Sequence, residues 1–400
     1  MRISRIETLR LDEFPNILWV MVHTDSNLVG LGETFFGAQA VEAAMHETVA
    51  SQMLGADPLA IERHSRQLLQ NYVGFKSTGA EIRAVSAFDI ALWDLFGQVT
   101  GQPVYQLLGG RCRDTIRAYN TCAGYRYVRA KPVQRTENWG LGQSPAGPYE
   151  DLDAFLTRAD ELAESLLAEG YTGMKIWPFD FAAEASNGTD ISIIDLRRAL
   201  EPFEKIRKRV GDRIDIHVEL HSLWTLPAAI KIAKAIEPFL PYWFEDPIRP
   251  SNLDALLQFR QSTPVWTTAS ELLSTRWAFR ELFEKRAVSV AMLDIGWCGG
   301  LSEAKKIATM AESYELPIAP HDCTGPVVLA AGVHLSAASP NTLVQEVVRA
   351  FYHGWYQELA IDLPPLQGGY IRPLDKPGIG VRLRPGLVDR PDAHVRVSRL

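Results

Sequence analysis

Cysteine is scarce in this 400-residue chain, and the four present, Cys112, Cys122, Cys298 and Cys323, show no CxxC spacing. That excludes a zinc ribbon and a secreted disulfide scaffold, and fits a reducing cytoplasm. No apolar run approaches the length of a bilayer, and MRISRIETLRLDEF lacks the apolar stretch of a signal peptide. A soluble, cytoplasmic protein is expected. Excess positive charge is also missing: 41 Lys and Arg stand against 48 Asp and Glu, for a net charge of −7. Neither nucleic acid nor an anionic membrane is an expected partner. The 46% hydrophobic content is enough to bury more than one core.

What the chain does have is a series of ionisable residues, each closing a short apolar run. Glu219 follows His217-Val218, Glu245 follows Tyr242-Trp243-Phe244, and Glu271 follows Val265-Trp266 by a few residues, the three standing 26 positions apart. Asp294, His321 and Glu346 continue the series at a similar interval, and Lys175 precedes it in Tyr171 to Trp177. A strand, a crossover helix and two loops take roughly 25 to 35 residues, so this is the spacing of successive parallel strand ends around one rim. Three carboxylates in one mouth would repel and take up protons; a hard divalent cation such as Mg²⁺ satisfies all three.

Upstream, residues 2–11, 18–23 and 28–34 read as a three-stranded meander. Ile82, Val85, Phe88, Leu92 and Leu95 recur at helical spacing between Ala80 and Val99, with Gly101 just past the end. From Ile116 onward short apolar strands alternate with amphipathic helices, beginning with a strand at Ile116–Thr121 and a helix over 152–169. The expected division is an α+β cap over 1–115, a barrel over 116–355 and a C-terminal segment, 356–400, that packs back on the cap, with 378–383 as a strand. Residues 123–149 form a long insertion carrying Tyr125, Arg126, Tyr127, Arg129, Lys131, Arg135 and Trp139. They are read either as a binder of an anionic sugar or as a mobile segment or oligomer contact.

Gly30-Leu31-Gly32-Glu33, Ala91-Leu92-Trp93-Asp94, Gly101-Gln102-Pro103, Leu107-Leu108-Gly109-Gly110 and Pro377-Gly378-Ile379-Gly380, in this order around the strand-end carboxylates, resemble the mandelate racemase branch of the enolase superfamily over nearly the whole chain. The resemblance implies a (β/α)7β barrel, a modified TIM barrel, under a cap built from both termini, with one Mg²⁺ per subunit at the mouth. It also implies homo-oligomers, dimers or octamers, and removal of a proton next to a carboxylate to give an enediolate.

Carried onto this chain, the resemblance makes Glu219, Glu245 and Glu271 the metal ligands, with Glu219 standing where the family usually has aspartate. His321 becomes the base, Asp294 its orienting partner, and Glu346 an acid, protonated in the complex, that hydrogen-bonds the substrate. Lys175 takes the substrate-carboxylate position. Racemising members carry Lys-x-Lys; here Trp177 stands in the second place, which removes the simplest racemase mechanism. His221, two residues after Glu219, is similar to the general acid of galactonate- and mannonate-type dehydratases, whereas His217 on the same face reads as deeper packing. The leading expectation is dehydration of an aldonate or aldarate to a 2-keto-3-deoxy acid. A cycloisomerase or epimerase is the nearest rival, followed by a metal-dependent hydrolase, a retaining glycosidase and a catalytically silent binding protein. The hydrolase lacks support because strand one, Ile116 to Thr121, has no His-x-His. Substrate choice is expected from residues 12–16, 71–79 and 123–149, with Trp297, Tyr352, His353 and Trp355 at the rim.

Overall fold

Gly30 and Gly32 set how closely the N-terminal sheet approaches its helix. A methyl group added at either would stand 2.1 Å from the Ala91 carbonyl oxygen or 1.8 Å from that of Ala87, so only glycine lets strand Val29–Phe35 lie against helix Ala80–Thr100. Strands Ile3–Leu11, Ile17–Thr24 and Val29–Phe35 pair antiparallel as a meander, and Gly101, at a φ of 66°, ends the helix in the left-handed conformation. These elements belong to a computed structural model that describes residues 1–69 and 78–400. Most of the segment 71–79 expected to choose substrate therefore lies outside the described residues.

The cap sheet has four strands rather than three. Ala393–Arg399 pairs antiparallel with Ile3–Leu11 along its length, so the chain's end completes the sheet its beginning starts. The run 378–383 is not a continuous strand: only Arg382–Leu383 is extended and paired, with Ala360–Ile361. Gly378 instead turns at a φ of 75° against Asp94, where a Cβ would come within 2.0 Å of Oδ1. Asp94 accepts the amide hydrogens of Leu31 (2.9 Å) and Ile379 (2.8 Å). One buried carboxylate thus joins the meander, the long helix and the tail.

Eight parallel strands follow: Ile116–Thr121, Gly173–Ile176, Asp215–Glu219, Trp243–Glu245, Trp266–Ala269, Val290–Leu293, Ile318–Pro320 and Gln345–Val347. Each pairs with the next through the seventh, the eighth pairs with the first, and a bridge from Ile318 to Thr342 closes the ring. Helices cross between successive strands, and the last strand is followed by two short helices, giving a (β/α)7β barrel. Tyr119, Trp243, Val290, Met292 and Ala319 fill its interior. The expected helix over 152–169 is broken into Asp151–Thr157 and Ala159–Ala168 by Arg158 at φ −140°. Asp160 and Glu161 then supply the acidic first turn that favours a new start.

Cap and barrel meet through Glu33, which accepts the amides of Val327 (3.0 Å) and Val328 (2.9 Å) at the start of helix Pro326–Ala337 and the Trp19 indole (2.7 Å). The Thr34 hydroxyl donates to the Gly296 carbonyl at 2.8 Å. Both contacts fall beside the loops that follow the sixth and seventh strands.

Candidate active site

Side chains alternate along each barrel strand, so on Asp215–Glu219 both His217 and Glu219 face inward while Ile216 and Val218 pack outward. The deeper His217 lies among the rings of Tyr119 and Trp243, at 4.4 and 4.3 Å between centroids, and burial holds its pKa well below the ordinary value. Lys175 points inward from the second strand. Its Nζ stands 2.5 Å from Glu245, 2.7 Å from Glu346 and 3.5 Å from Glu219. Burial opposes its charge, but Glu245 and Glu346 outweigh that and raise its pKa well above the usual lysine value.

Glu219, Glu245 and Glu271 each offer an oxygen, all within 4.8 Å of one another. The donor set is all oxygen, anionic and largely buried, which fits a hard divalent cation. Burial, followed by repulsion from Glu219, drives the Glu245 pKa well up, so the cluster calls for more positive charge than Lys175 supplies. The extra methylene of Glu219 is accommodated by a fold-back: its Oε1 accepts the backbone N–H of His221 at 2.6 Å. The Trp243 indole donates to Glu245 at 3.1 Å and so fixes the second carboxylate.

His321 follows the seventh strand and its Nδ1 lies 2.7 Å from Asp294 Oδ2; its Nε2 lies 3.0 Å from Glu271. Burial would lower the imidazole pKa, but Glu271 and Glu346 raise it well above the ordinary value. His221 also faces the cavity, by a different route from the strand alternation expected of it. The strand ends at Glu219, and His221 sits in the left-handed region at φ 49°. Its Nδ1 is 2.7 Å from Asp180 Oδ2. Against burial, Asp180 and Glu219 push the His221 pKa up to about 9.

One cavity of about 260 Å³ is lined by Lys175, Trp177, Glu219, His221, Glu271, Trp297 and His321. Glu245, Glu346 and Asp294 lie directly beneath, bonded to those side chains. Glu346 also accepts from the Thr121 hydroxyl and from the Asp322 amide (3.0 Å). Burial raises its pKa, but Lys175 and His321 more than offset this and hold it below the ordinary carboxylate value. Tyr352 and His353 do not reach the cavity. Tyr352 donates to the Pro364 carbonyl at 2.8 Å and His353 packs on Tyr149, because helix Arg349–His353 turns both toward the barrel's outside. Trp355 is buried against Phe14 and Phe351.

The insertion covers the site with neutral groups. Tyr127, Val128 and Gln134 line the cavity, and the Gln134 amide bonds the Tyr127 hydroxyl and stands 3.3 Å from His221 Nε2. Three of its basic residues are used elsewhere: Arg129 lies over the Phe14 ring and 3.3 Å from Glu13, Arg126 bonds Gln143, and Lys131 pairs with Glu137. From the cap, Asn16 donates to the carbonyls of Val128 (2.5 Å) and Lys131 (3.0 Å), holding the insertion down. Sequence reasoning missed Asp180, Arg83, Asp246 and Gln134. Asp246 had a signal, since it directly follows a strand-end glutamate; the others sit outside the strand-end series.

The model of the mandelate racemase/muconate lactonizing enzyme N-terminal domain matches residues 14–109, and that of the enolase C-terminal domain-like family matches 158–387. The chain belongs to the enolase superfamily. Among curated members, a D-xylonate dehydratase of Haloferax volcanii is 30% identical over 98% of this chain and 89% of its own length, and a D-galactonate dehydratase of Ralstonia pickettii is 30% identical over 97% and 94%. Among solved superfamily structures, a mandelate racemase subgroup enolase from Agrobacterium tumefaciens is 50% identical with a TM-score of 0.89, and an enolase protein from Sargasso Sea environmental sequence is 43% identical with a TM-score of 0.88. Each of these covers 100% of this chain and 99% of its own.

Proposed function

We propose that this enzyme is a hydro-lyase that dehydrates a sugar acid, an aldonate or aldarate, to its 2-keto-3-deoxy product with Mg²⁺ as cofactor. The observation that carries the reading is the pair of histidine–aspartate dyads in one cavity, His321 with Asp294 and His221 with Asp180, both at 2.7 Å. Dehydration needs one group to take the proton from C2 and one to protonate the hydroxyl leaving C3. Each aspartate holds Nδ1 of its histidine, so that Nε2 is the atom turned to the cavity, where it meets Glu271 at 3.0 Å in His321 and Gln134 at 3.3 Å in His221.

In this reading His321 Nε2 takes the C2 proton and the C2–H electrons pass into the substrate carboxylate as an enediolate; those electrons then return to form the C2–C3 double bond as the C3–O bond breaks and His221 delivers a proton to make water. The resulting enol takes up a solvent proton at C3 and becomes the keto acid. A divalent cation held by Glu219, Glu245 and Glu271 would stabilise the second negative charge that develops at the substrate carboxylate. Lys175 binds that carboxylate, and Trp177, Tyr127 and Trp297 exclude water from around it. Trp177 in place of a second lysine, together with two relatives named as dehydratases, favours elimination over epimerisation.

The test is a panel of aldonic and aldaric acids incubated with enzyme and Mg²⁺ and assayed for 2-keto acid with a carbonyl reagent. One acid turned over, and none by His321→Asn, supports the reading. No keto acid from any member of the panel contradicts it.

A further inference from the structure

Arg83 reaches into the active-site cavity from the first turns of the cap helix Ala80–Thr100, and the reaction proposed above gives it no task. Its guanidinium lies over the Trp297 ring at 4.9 Å, and the far side of the arrangement is the base: Trp297 packs on His321 at 5.3 Å between centroids. Arg83 is therefore one indole away from where the C2 proton is taken. Trp297 is itself fixed, its indole donating to the Phe35 carbonyl at 3.1 Å, so the platform beneath the guanidinium is rigid.

One donor of the guanidinium lacks an acceptor. Its Nε is buried and has no hydrogen-bond partner among the described residues. Asp294 and Glu271 are the nearby anions; His321 takes one oxygen of each, at 2.7 and 3.0 Å, and Asp294 Oδ1 is left buried without a partner among the described residues. Among the described residues, Phe36, Leu272 and Trp297, which also line the cavity, bring no side-chain acceptor. A buried donor without an acceptor costs free energy, and an anionic group of a bound ligand would supply one. Lys175 sits at the floor among three carboxylates. Lys175 thus rises from a barrel strand, whereas Arg83 enters from the cap.

We propose that Arg83 binds an anionic group at the end of the substrate remote from the reacting carboxylate, so that the preferred sugar acids carry two anionic ends. The group is a second carboxylate, as in an aldaric acid, or a terminal phosphate; both match the planar fork of a guanidinium. The inference rests on the sugar-acid reading above for what lies between the two ends, and on Arg83 and Trp297 for the far end.

Two measurements keep those parts separate. In the first, Mg²⁺-loaded enzyme is titrated calorimetrically with unreactive deoxy acids of one chain length: the monocarboxylate, the dicarboxylate and the terminally phosphorylated monocarboxylate. Wild type is expected to favour a doubly anionic acid over the monoanion by about tenfold or more. That ratio should fall to near one in Arg83→Gln and stand between in Arg83→Lys, which keeps the charge but not the fork. Whichever doubly anionic acid binds tighter identifies the group. Equal binding of all three acids by wild type, or a preference that survives in folded Arg83→Gln, overturns the proposal. In the second, the aldonate and aldarate of one configuration are compared as substrates. If the binding preference holds while neither substrate loses water, the dehydratase reading fails and the Arg83 site stands.

Discussion

Asp180 Oδ2 lies 2.7 Å from Nδ1 of His221, the same contact that Asp294 makes with His321 in the same cavity. The two dyads come from different parts of the barrel: Asp294 and His321 follow adjacent strands, whereas Asp180 opens the short helix after the second strand. In the proposed reaction they take unlike tasks, one removing a proton and the other delivering one.

The two tasks separate by isotope. In D₂O, His321→Asn should lose both deuterium exchange at C2 and water loss, each by roughly 10² to 10⁴. Asp180→Asn acts through His221 as a positioning change, and should lower water loss by on the order of tenfold to a hundredfold while C2 exchange continues. Parallel loss of both in Asp180→Asn would place His221 on the proton-abstraction step instead.

Loading of the carboxylate cluster should appear as stability. At about a hundredfold excess of Mg²⁺ over its Kd, binding contributes about 2.7 kcal/mol. A rise in melting temperature with Mg²⁺ is therefore expected for the wild type and not for Glu245→Gln. An equal rise in both would place the ion elsewhere.

The cap should weaken at Asp94. Asp94→Ala leaves the amides of Leu31 and Ile379 without their acceptor in a buried joint. A loss of roughly 2 to 4 kcal/mol is expected from urea unfolding. A change within about 0.5 kcal/mol would mean that water replaces the carboxylate.

His334 supplies a pH dependence away from the cavity. It is buried, accepts the Tyr105 amide at 3.2 Å and lies 3.0 Å from the Ile379 carbonyl; burial holds its pKa down to about 4. An unfolded imidazole, at about 6.5, takes up a proton that the folded one refuses. Between about pH 6.5 and 4 the unfolded state binds more protons, so stability falls as pH falls, by on the order of 3 kcal/mol from this group. The buried carboxyls Glu33 and Asp89, both raised to about 7 by burial, act in the opposite sense in both proteins compared. The difference in stability between wild type and His334→Gln should therefore shrink from pH 7 to pH 4.5. A constant difference would contradict the buried neutral imidazole.

Much of this site was legible because a barrel writes its mouth at a regular interval. Glu219 and Glu245 end their strands, Asp294 and His321 directly follow theirs and Glu346 lies within the short last one, so a local pattern of apolar run and ionisable residue located them. Asp180 and Arg83 escaped because chain distance says nothing about them: one opens a helix, and the other enters from the cap. Tyr352 and His353 were misplaced because the final strand is followed by a helical turn that rotates them outward. The strand Ala393–Arg399 was invisible for a related reason. It is largely exposed, so its sequence lacks the alternation that burial on one face would impose.

The most direct test of the account is one reaction: the acid turned over in the panel, incubated in D₂O with Mg²⁺ and followed by mass spectrometry and proton NMR. The account predicts loss of water and a 2-keto product carrying solvent deuterium at C3. Deuterium at C2 with no loss of water would show a base without an acid, and would replace dehydration with epimerisation or isomerisation.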